Sequence, residues 1–301
     1  MKKSFPKMLG EYVFVRTFDP VRKIRSNSFA VYKNNTGRYA MAKLMDGTKK
    51  NLDYYQFLKE IRTFQAIANL MENFGETIRK KFPDVSFSAY ISHVWKNDKV
   101  ILLTEMVEGK TLESAPLETK VQMTEKVLAF LSEVGKYFNH SNNFPLPYRP
   151  ALYIILIFFS VSLISVVRHP VLLGKILRSI LIFIRTLPPL LTYGHMTFVH
   201  RGLEHHNMMI DNSHITILDL EVAAKTIDLI DPIHILLYSW DDQPFFNAFY
   251  QSQVMKNIRN DRKKFQVFRA LSLYAALHQI ATGYERDREM YLQFLDHSLK
   301  V

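Results

Sequence analysis

Strand-like and helix-like segments occupy different parts of this chain, and their order is what most limits its fold. β-rich runs separated by turn residues fill residues 11–46 and 85–106, and a helical period connects them from Leu52 to about Glu72. After Thr111 the pattern is mainly helical. Strands followed by helices predict an α+β protein with two lobes.

The boundary between the lobes is expected where the last of these strands ends, near Val107-Glu108-Gly109. This gives a small β-rich N-lobe over residues 1–107 and a mainly helical C-lobe over residues 108–301. Two short β-like runs, around Met208 and Ile217, interrupt the helical pattern of the C-lobe.

The composition excludes several kinds of site. The chain has no cysteine, so disulfides, thiolate metal centres and cysteine nucleophiles are absent. Its 39 Lys and Arg outnumber 28 Asp and Glu, and the net charge of +11 favours phosphates or an acidic membrane surface as partners. No basic stripe with interleaved aromatic residues is present, so a nucleic-acid partner is not expected. The basic N-terminus has no apolar run behind it, which predicts a cytoplasmic protein without a secretory signal.

The segment between Pro145 and Tyr193 is unusually apolar. Residues 151–167 carry no charge. In a second apolar run, residues 171–191, the only charged residues are Lys175, Arg178 and Arg185. Two interpretations remain open for this hydrophobic helical hairpin, residues 151–191. It is either a pair of buried C-lobe helices, or a peripheral or monotopic attachment to the inner face of a membrane, with its basic flanks on acidic head groups.

The segment most informative about chemistry is FVHRGLEHHNMMID, residues 198–211, followed by Ile-Leu-Asp-Leu-Glu at residues 217–221. It resembles the catalytic and metal-binding loops of the protein-kinase-like superfamily, H-x-D-L-x-x-x-N followed by an apolar strand and Asp. The aminoglycoside phosphotransferase and choline kinase type is the most similar. His200, Leu203, Asn207 and Asp219 stand at the positions of that pattern, and Asp231-Pro232 is similar to the D-P that follows it.

The N-lobe carries two further elements of the same resemblance. Tyr39-Ala40-Met41-Ala42-Lys43 is similar to the V-A-I-K strand, and Glu60 lies on the next helix, where the superfamily has the acid of its Lys–Glu ion pair. Thr104–Leu112 resembles the hinge segment E-φ-φ-x-G-x-x-L. Four separated elements in the same order, over roughly residues 11–240, are more specific than any single motif.

The resemblance implies a two-lobed protein-kinase-like fold and an ATP- and Mg²⁺-dependent phosphotransferase. Lys43, oriented by Glu60, would hold phosphates, and Glu105 and Val107 of the hinge would bind the nucleotide. Asn207 and Asp219 would ligate Mg²⁺ through oxygen atoms, which that ion prefers. Taken singly, each residue also has an ordinary structural interpretation, such as a solvated strand-end lysine for Lys43.

Three departures from the superfamily pattern matter. Gly202 stands at the position of the catalytic Asp and cannot act as a base, because glycine has no carboxylate. Glu204 is a candidate replacement, although it could equally face solvent or pair with Arg201. Residues 19–27 lack a glycine; there Arg22, Lys23 and Arg25 either contact phosphate or form a solvated charge run. Ile235 replaces a later Asp.

The expected function is therefore phosphorylation of a hydroxyl on a small-molecule, sugar or lipid-linked acceptor, impaired by the loss of the base. The alternatives are a nucleotide-binding pseudokinase and a membrane-associated scaffold. A zinc site built from the histidines of residues 195–214 is a weaker hypothesis, because H-E-x-x-H and cysteine are both missing.

Overall fold

A computed structural model describes residues 5–18, 28–46, 48, 52–96, 98–140, 146–220, 222–283 and 287–300. The N-terminal elements are β1 Met8–Leu9, β2 Tyr12–Phe18, β3 Ser28–Lys33, β4 Tyr39–Asp46, α1 Leu52–Lys81, β5 Val85–Phe87, β6 Tyr90–Lys96, β7 Lys99–Glu105 and β8 Lys110–Thr111. They are followed by α2 Leu117–His140, α3 Ala151–Arg168, α4 Leu173–Arg185, α5 Leu187–Leu191, β9 Met196–Val199, β10 Met208–Asp211, β11 His214–Ile217, β12 Ala224–Ile227, α6 Ile230–Tyr238, α7 Gln243–Tyr250, α8 Gln253–Asn260, α9 Arg262–Thr282 and α10 Arg288–Lys300.

The chain divides into two compact units. The first contains residues 1–111, 143–146 and 207–223, and the second contains residues 112–142, 147–206 and 224–301. The β10–β11 hairpin therefore groups with the N-terminal elements, whereas its place in the sequence predicts that it lies in the C-lobe.

The first unit is built on an antiparallel sheet with strand order β1-β2-β3-β4-β7-β6. Alternation along β4 places Ala40, Ala42 and Leu44 in the core of this unit, where Tyr32 and Leu103 meet them. Helix α1 extends beyond its expected end and buries Phe57, Ile61 and Phe64. A second sheet has the order β5-β11-β10-β8, and its β5–β11 pair is parallel.

The second unit is helical and centred on α9, which buries twelve of its residues and contacts α3, α4, α5, α6, α8 and α10. Helix α2 packs on β9, which pairs with β12. Gly135 permits this close packing, because a Cβ at that position would overlap the hydroxyl of Thr197. A β-rich N-terminal region with a mainly helical C-terminal region confirms the α+β class.

The hairpin of residues 151–191 combines features of both interpretations of its sequence. Helix α3 buries Ile154, Phe158 and Val161, and the ring of Phe158 stacks on that of Phe183 in α4 with centroids 3.7 Å apart. Both helices also expose several large apolar side chains on their other faces. Within the described part of the chain, α3 alone is long and apolar enough to cross a membrane by length and composition.

Candidate active site

Strand β4 and helix α1 bring Lys43 and Glu60 together. Because strand side chains alternate, Lys43 points away from the face that holds Ala42 and Leu44 in the core. Lys43 Nζ lies 2.7 Å from Glu60 Oε2, and 12% of the lysine side chain and 4% of the glutamate side chain are exposed. The lysine also lies over the ring of Phe57, 5.8 Å from its centroid. This is a buried, charge-assisted hydrogen bond.

The β10–β11 hairpin places Asn207 and Asp219 side by side. Met208 pairs with Ile217, so the residue before β10 lies opposite the residue after β11. Accordingly, the N–H of Leu218 donates to the carbonyl of Asn207 at 2.8 Å. Asp219 comes next and has a φ of 53°, a left-handed conformation that is uncommon outside glycine and asparagine. Such conformations are often found at functional sites.

Asp219 has the properties expected of a metal ligand. Its Oδ1 atom is buried and has no hydrogen-bond partner among the described residues, although it lies 3.9 Å from Lys43 Nζ. The side chain as a whole is 39% exposed, so the carboxylate can still be reached from outside. A carboxylate oxygen without a partner and a neighbouring amide are hard donors of the kind that Mg²⁺ takes together with water and phosphate oxygens. The residues present therefore fit a Mg²⁺–nucleotide complex.

The hinge residues Glu105 and Val107 differ in what their backbones contact. The N–H of Glu105 donates to the carbonyl of Ala89 at 2.9 Å, and the carbonyl of Glu105 accepts the hydroxyl of Ser88 at 3.1 Å. Val107 is half-buried, and its N–H has no hydrogen-bond partner among the described residues. Of the two residues, Val107 therefore has the backbone donor available for a ligand.

In the second unit, the buried carboxylate of Asp231 organises the loop that carries His200. Its Oδ2 accepts the N–H of His200 at 2.9 Å, and its Oδ1 accepts the N–H of Arg201 at 2.7 Å. Burial raises the pKa of Asp231. The imidazole Nδ1 of His200 in turn accepts the N–H of Gly202 at 3.3 Å. His200 thus supports its own loop from a fully buried position.

Gly202 contributes backbone only, and the nearest carboxylate along the chain is that of Glu204. The N–H of Glu204 donates to the carbonyl of Gly202 at 2.9 Å, which closes a tight turn. The Glu204 Oε2 atom lies 3.2 Å from Nδ1 of His206, and both side chains are partly exposed. A carboxylate beside an imidazole is an arrangement able to take up a proton.

Solved structures similar to this chain include phosphotransferases and kinases. A thermostable mutant of aminoglycoside phosphotransferase APH(4)-Ia, in ternary complex with AMP-PNP and hygromycin B, matches with a TM-score of 0.66 and 10% identity over 96% of this chain and 94% of that one. A putative fructosamine-3-kinase from Thermobifida fusca has a TM-score of 0.60 and 10% identity, and covers 96% and 95% of the two chains. The chain has a protein-kinase-like fold.

A choline kinase from Cryptosporidium parvum has this kinase-like fold too, with a TM-score of 0.53, 12% identity and coverage of 97% and 89%. No family model matches the sequence, and no curated protein matches it significantly. The two-lobed fold predicted from the sequence motifs is therefore confirmed at the level of structure.

The histidines that suggested zinc do not form a metal centre in the described part of this kinase-like fold, where no group of three His, Asp or Glu could hold an ion. His205 is packed edge-on against Phe245 with ring centroids 4.3 Å apart. Burial, with help from the charge of Lys120, lowers its pKa to about 4. It is therefore a neutral packing residue at physiological pH.

Two features of the sequence hypothesis lie outside the described residues. These are the charge run with Arg22, Lys23 and Arg25, and the acid Glu221 that follows Asp219. Two contacts of the site are not predicted by the sequence motifs: Asp231 accepts the amides of His200 and Arg201, and His206 contacts Glu204. The sequence feature that indicates the role of Asp231 is the Asp231-Pro232 pair, which stands at the start of α6.

Proposed function

We propose that the protein is an ATP- and Mg²⁺-dependent phosphotransferase acting on a hydroxyl of a small-molecule, sugar or lipid-linked acceptor, in a cytoplasmic location. The observation that carries this proposal is the grouping of Lys43, Glu60 and Asp219 within one compact unit. A buried lysine, fixed by one carboxylate and close to a second carboxylate with an unsatisfied oxygen, suits a magnesium-bound polyphosphate.

In this proposal, the first unit binds and neutralises the nucleotide. Lys43 holds non-transferred phosphates while Glu60 fixes its position. Asn207 and Asp219 supply oxygen ligands to Mg²⁺, which neutralises charge on the phosphates when bound. Val107 donates its backbone N–H to the nucleobase, and Glu105 fixes the hinge beside the nucleotide through its backbone hydrogen bonds to Ala89 and Ser88.

The acceptor proton is assigned to Glu204, because Gly202 has no side chain. Glu204 takes the proton from the acceptor hydroxyl, the acceptor oxygen forms a bond to the γ-phosphorus, and the bond to the β–γ bridging oxygen breaks to release ADP. His206, in contact with Glu204, positions the carboxylate. The names of the similar structures, which include kinases of aminoglycoside and choline type, support a small-molecule acceptor.

A nucleotide-binding pseudokinase is the second candidate, favoured by Gly202 itself. Such a protein would keep Lys43, Glu60, Asn207 and Asp219 for binding and have no use for a base. The two candidates share the nucleotide and differ in turnover.

Two measurements on the purified protein separate these functions. Mg-ATP raises the melting temperature under both, because a ligand at about 100 Kd adds roughly 2.7 kcal/mol. Release of ADP, stimulated by a fraction of a metabolite or lipid extract, identifies the phosphotransferase. A melting shift without turnover in any fraction identifies the pseudokinase, and no shift at millimolar Mg-ATP contradicts both.

A further inference from the structure

Helix α3 is apolar on its outward face as well as on the face that packs against α9. The inward side chains Ile154, Phe158 and Val161 are buried. The outward side chains recur at helical spacing and are exposed by 39–75%; they are Leu152, Leu156, Phe159, Leu163 and Val167. Only five of the 18 residues of α3 are buried. A core helix would bury more, and a surface helix would normally be polar on this side.

Helix α4 also has an exposed apolar side. It buries Ile176, Ser179 and Phe183. The opposite side of the helix exposes a second stripe of large aliphatic residues, Leu173, Leu177, Leu181 and Ile184. Between the helices, Val171 is 91% exposed. We call the two stripes together with Val171 the hairpin face. Exposed apolar residues this numerous on one hairpin indicate an interaction surface.

The charged residues of the hairpin itself are all basic. Residues 151–191 contain no Asp or Glu. Lys175 Nζ lies 2.8 Å from Asp296 in α10, so its charge is neutralised within the protein. Arg168 donates to the carbonyl of Ala281 and Arg178 to that of Leu299, but both remain exposed. A guanidinium that contacts one carbonyl keeps its charge and further N–H donors.

The start of α3 adds residues typical of a membrane interface. Tyr148 is 61% exposed, and the guanidinium of Arg149 lies over the ring of Tyr153, 5.2 Å from its centroid. Arg185 is exposed at the end of α4. Tyrosine and arginine at the edges of an aliphatic surface match the boundary between head groups and acyl chains.

We propose that the hairpin face docks the protein on a lipid bilayer that contains anionic head groups. The aliphatic stripes enter the upper acyl region, and Arg168, Arg178 and Arg185 face the lipid phosphates. The hairpin lies on the membrane and does not cross it, because the inward face of α3 is committed to α9 and Phe158 is stacked on Phe183. This proposal does not depend on phosphotransfer.

A second copy of the chain fits the hairpin face less well than a bilayer. A two-fold interface places the same patch against itself. The exposed arginines would then approach each other without an acid from residues 151–191 to separate them. An anionic bilayer complements both the aliphatic stripes and the positive charge.

Vesicle flotation of the full chain tests the proposal. The vesicles are phosphatidylcholine alone, and phosphatidylcholine with an equal amount of phosphatidylglycerol. The wild type is expected to float with the anionic vesicles, more weakly in high salt and more weakly with phosphatidylcholine alone. A Leu163→Gln/Leu181→Gln variant is expected to bind at least about tenfold less, because two leucines that enter the acyl region are lost.

Matched variants keep the result interpretable. Leu117→Gln, at an exposed leucine of α2, should float like the wild type. Val171→Asp is a second test at the most exposed position, in case the double variant has a lowered melting temperature. The proposal is overturned if the wild type ignores both kinds of vesicle, or if Leu117→Gln matters as much as the hairpin variants. It is also overturned if the hairpin variants only convert a dimer into a monomer. Equal binding to both kinds of vesicle would overturn the role of the arginines.

Discussion

Lys43 Nζ lies 2.7 Å from Glu60 Oε2 in an environment from which water is almost excluded. Each charge is tolerated there because the other is present. The same lysine is 3.9 Å from Asp219 Oδ1, so one cation stands between two carboxylates, of which the second has an oxygen without a hydrogen-bond partner among the described residues. This geometry suits a lysine that Glu60 holds in place and that can also bind an anionic ligand.

Removing the lysine should destabilise the first unit strongly. Lys43→Met leaves Glu60 buried without its cation, and breaking such a pair costs about 3–5 kcal/mol. Urea unfolding measures the loss. Lys80→Met is the matched control, because the Lys80–Glu76 pair of α1 has a similar distance of 2.8 Å but is exposed. That change should cost under about 1 kcal/mol. Equal losses for the two variants would mean that the buried pair is not important for stability.

The magnesium assignment predicts a specific effect of Asp219→Asn. The change keeps the size of the side chain and removes its charge, so the apo protein should stay folded. In the wild type, ATP should raise the melting temperature more with Mg²⁺ than with EDTA, whereas in Asp219→Asn the two shifts should be equal. Asp211→Asn, at an exposed acid of the same hairpin, should behave like the wild type. A variant that kept the Mg²⁺ dependence would remove Asp219 from the metal site.

The pairing of Lys43 with Glu60 could be predicted from the sequence, because apolar residues recur at strand spacing in β4 and at helical spacing in α1. Alternation in β4 fixes the side on which Lys43 lies, and the helical stripe of α1 places Glu60 next to buried residues. The proximity of Asn207 and Asp219 could also be predicted, because two short strands joined by a tight turn bring the residues that flank them together.

Strand partners could not be predicted in this way. The β-rich run of residues 85–96 contains two strands, which belong to different sheets. Val85–Phe87 pairs in parallel with Ile215–Ile217, and Tyr90–Lys96 pairs with β7. The alternation of apolar and polar residues along a strand shows which side chains share a face. It does not show which strand, distant in the sequence, pairs with it.

The outward face of α3 was ambiguous in the sequence for a different reason. A helix that is apolar all round has no polar side to identify its solvent face, so burial and membrane contact give the same pattern. Only the packing of Phe158 and Ile154 distinguishes the inward side from the outward side.

Acidification should destabilise the second unit through buried histidines. Burial lowers the pKa of His234 to about 3, and its Nδ1 contacts the carbonyl of Arg201. In the unfolded chain histidine titrates near pH 6.5, so between about pH 6.5 and 3 the unfolded state binds one more proton. Stability should therefore fall as the pH falls, by about 1.4 kcal/mol per pH unit for this residue.

The comparison of His234→Gln with the wild type measures that contribution. The free energy of unfolding of the variant should depend less on pH between about pH 6 and 4. Parallel pH profiles for the wild type and His234→Gln would show that His234 does not stay neutral in the folded protein.

The last prediction concerns the missing base. If Glu204 takes the acceptor proton, Glu204→Gln should lower turnover by about 10²-fold or more, within the range that general acid–base groups contribute, and leave the melting shift with Mg-ATP unchanged. Glu118→Gln, at an exposed acid of α2, should have no effect.

Gly202→Asp restores a carboxylate at the position where the superfamily pattern has one, and it should raise turnover by about tenfold. The double variant Gly202→Asp/Glu204→Gln should then retain activity, because the new carboxylate no longer needs Glu204. His206→Gln should shift the pH profile of turnover without changing nucleotide affinity, since it positions Glu204 and does not contact the nucleotide in this assignment. If none of these changes alters ADP release while Mg-ATP still raises the melting temperature, the protein is a pseudokinase. The contact of Glu204 with His206 would then be structural.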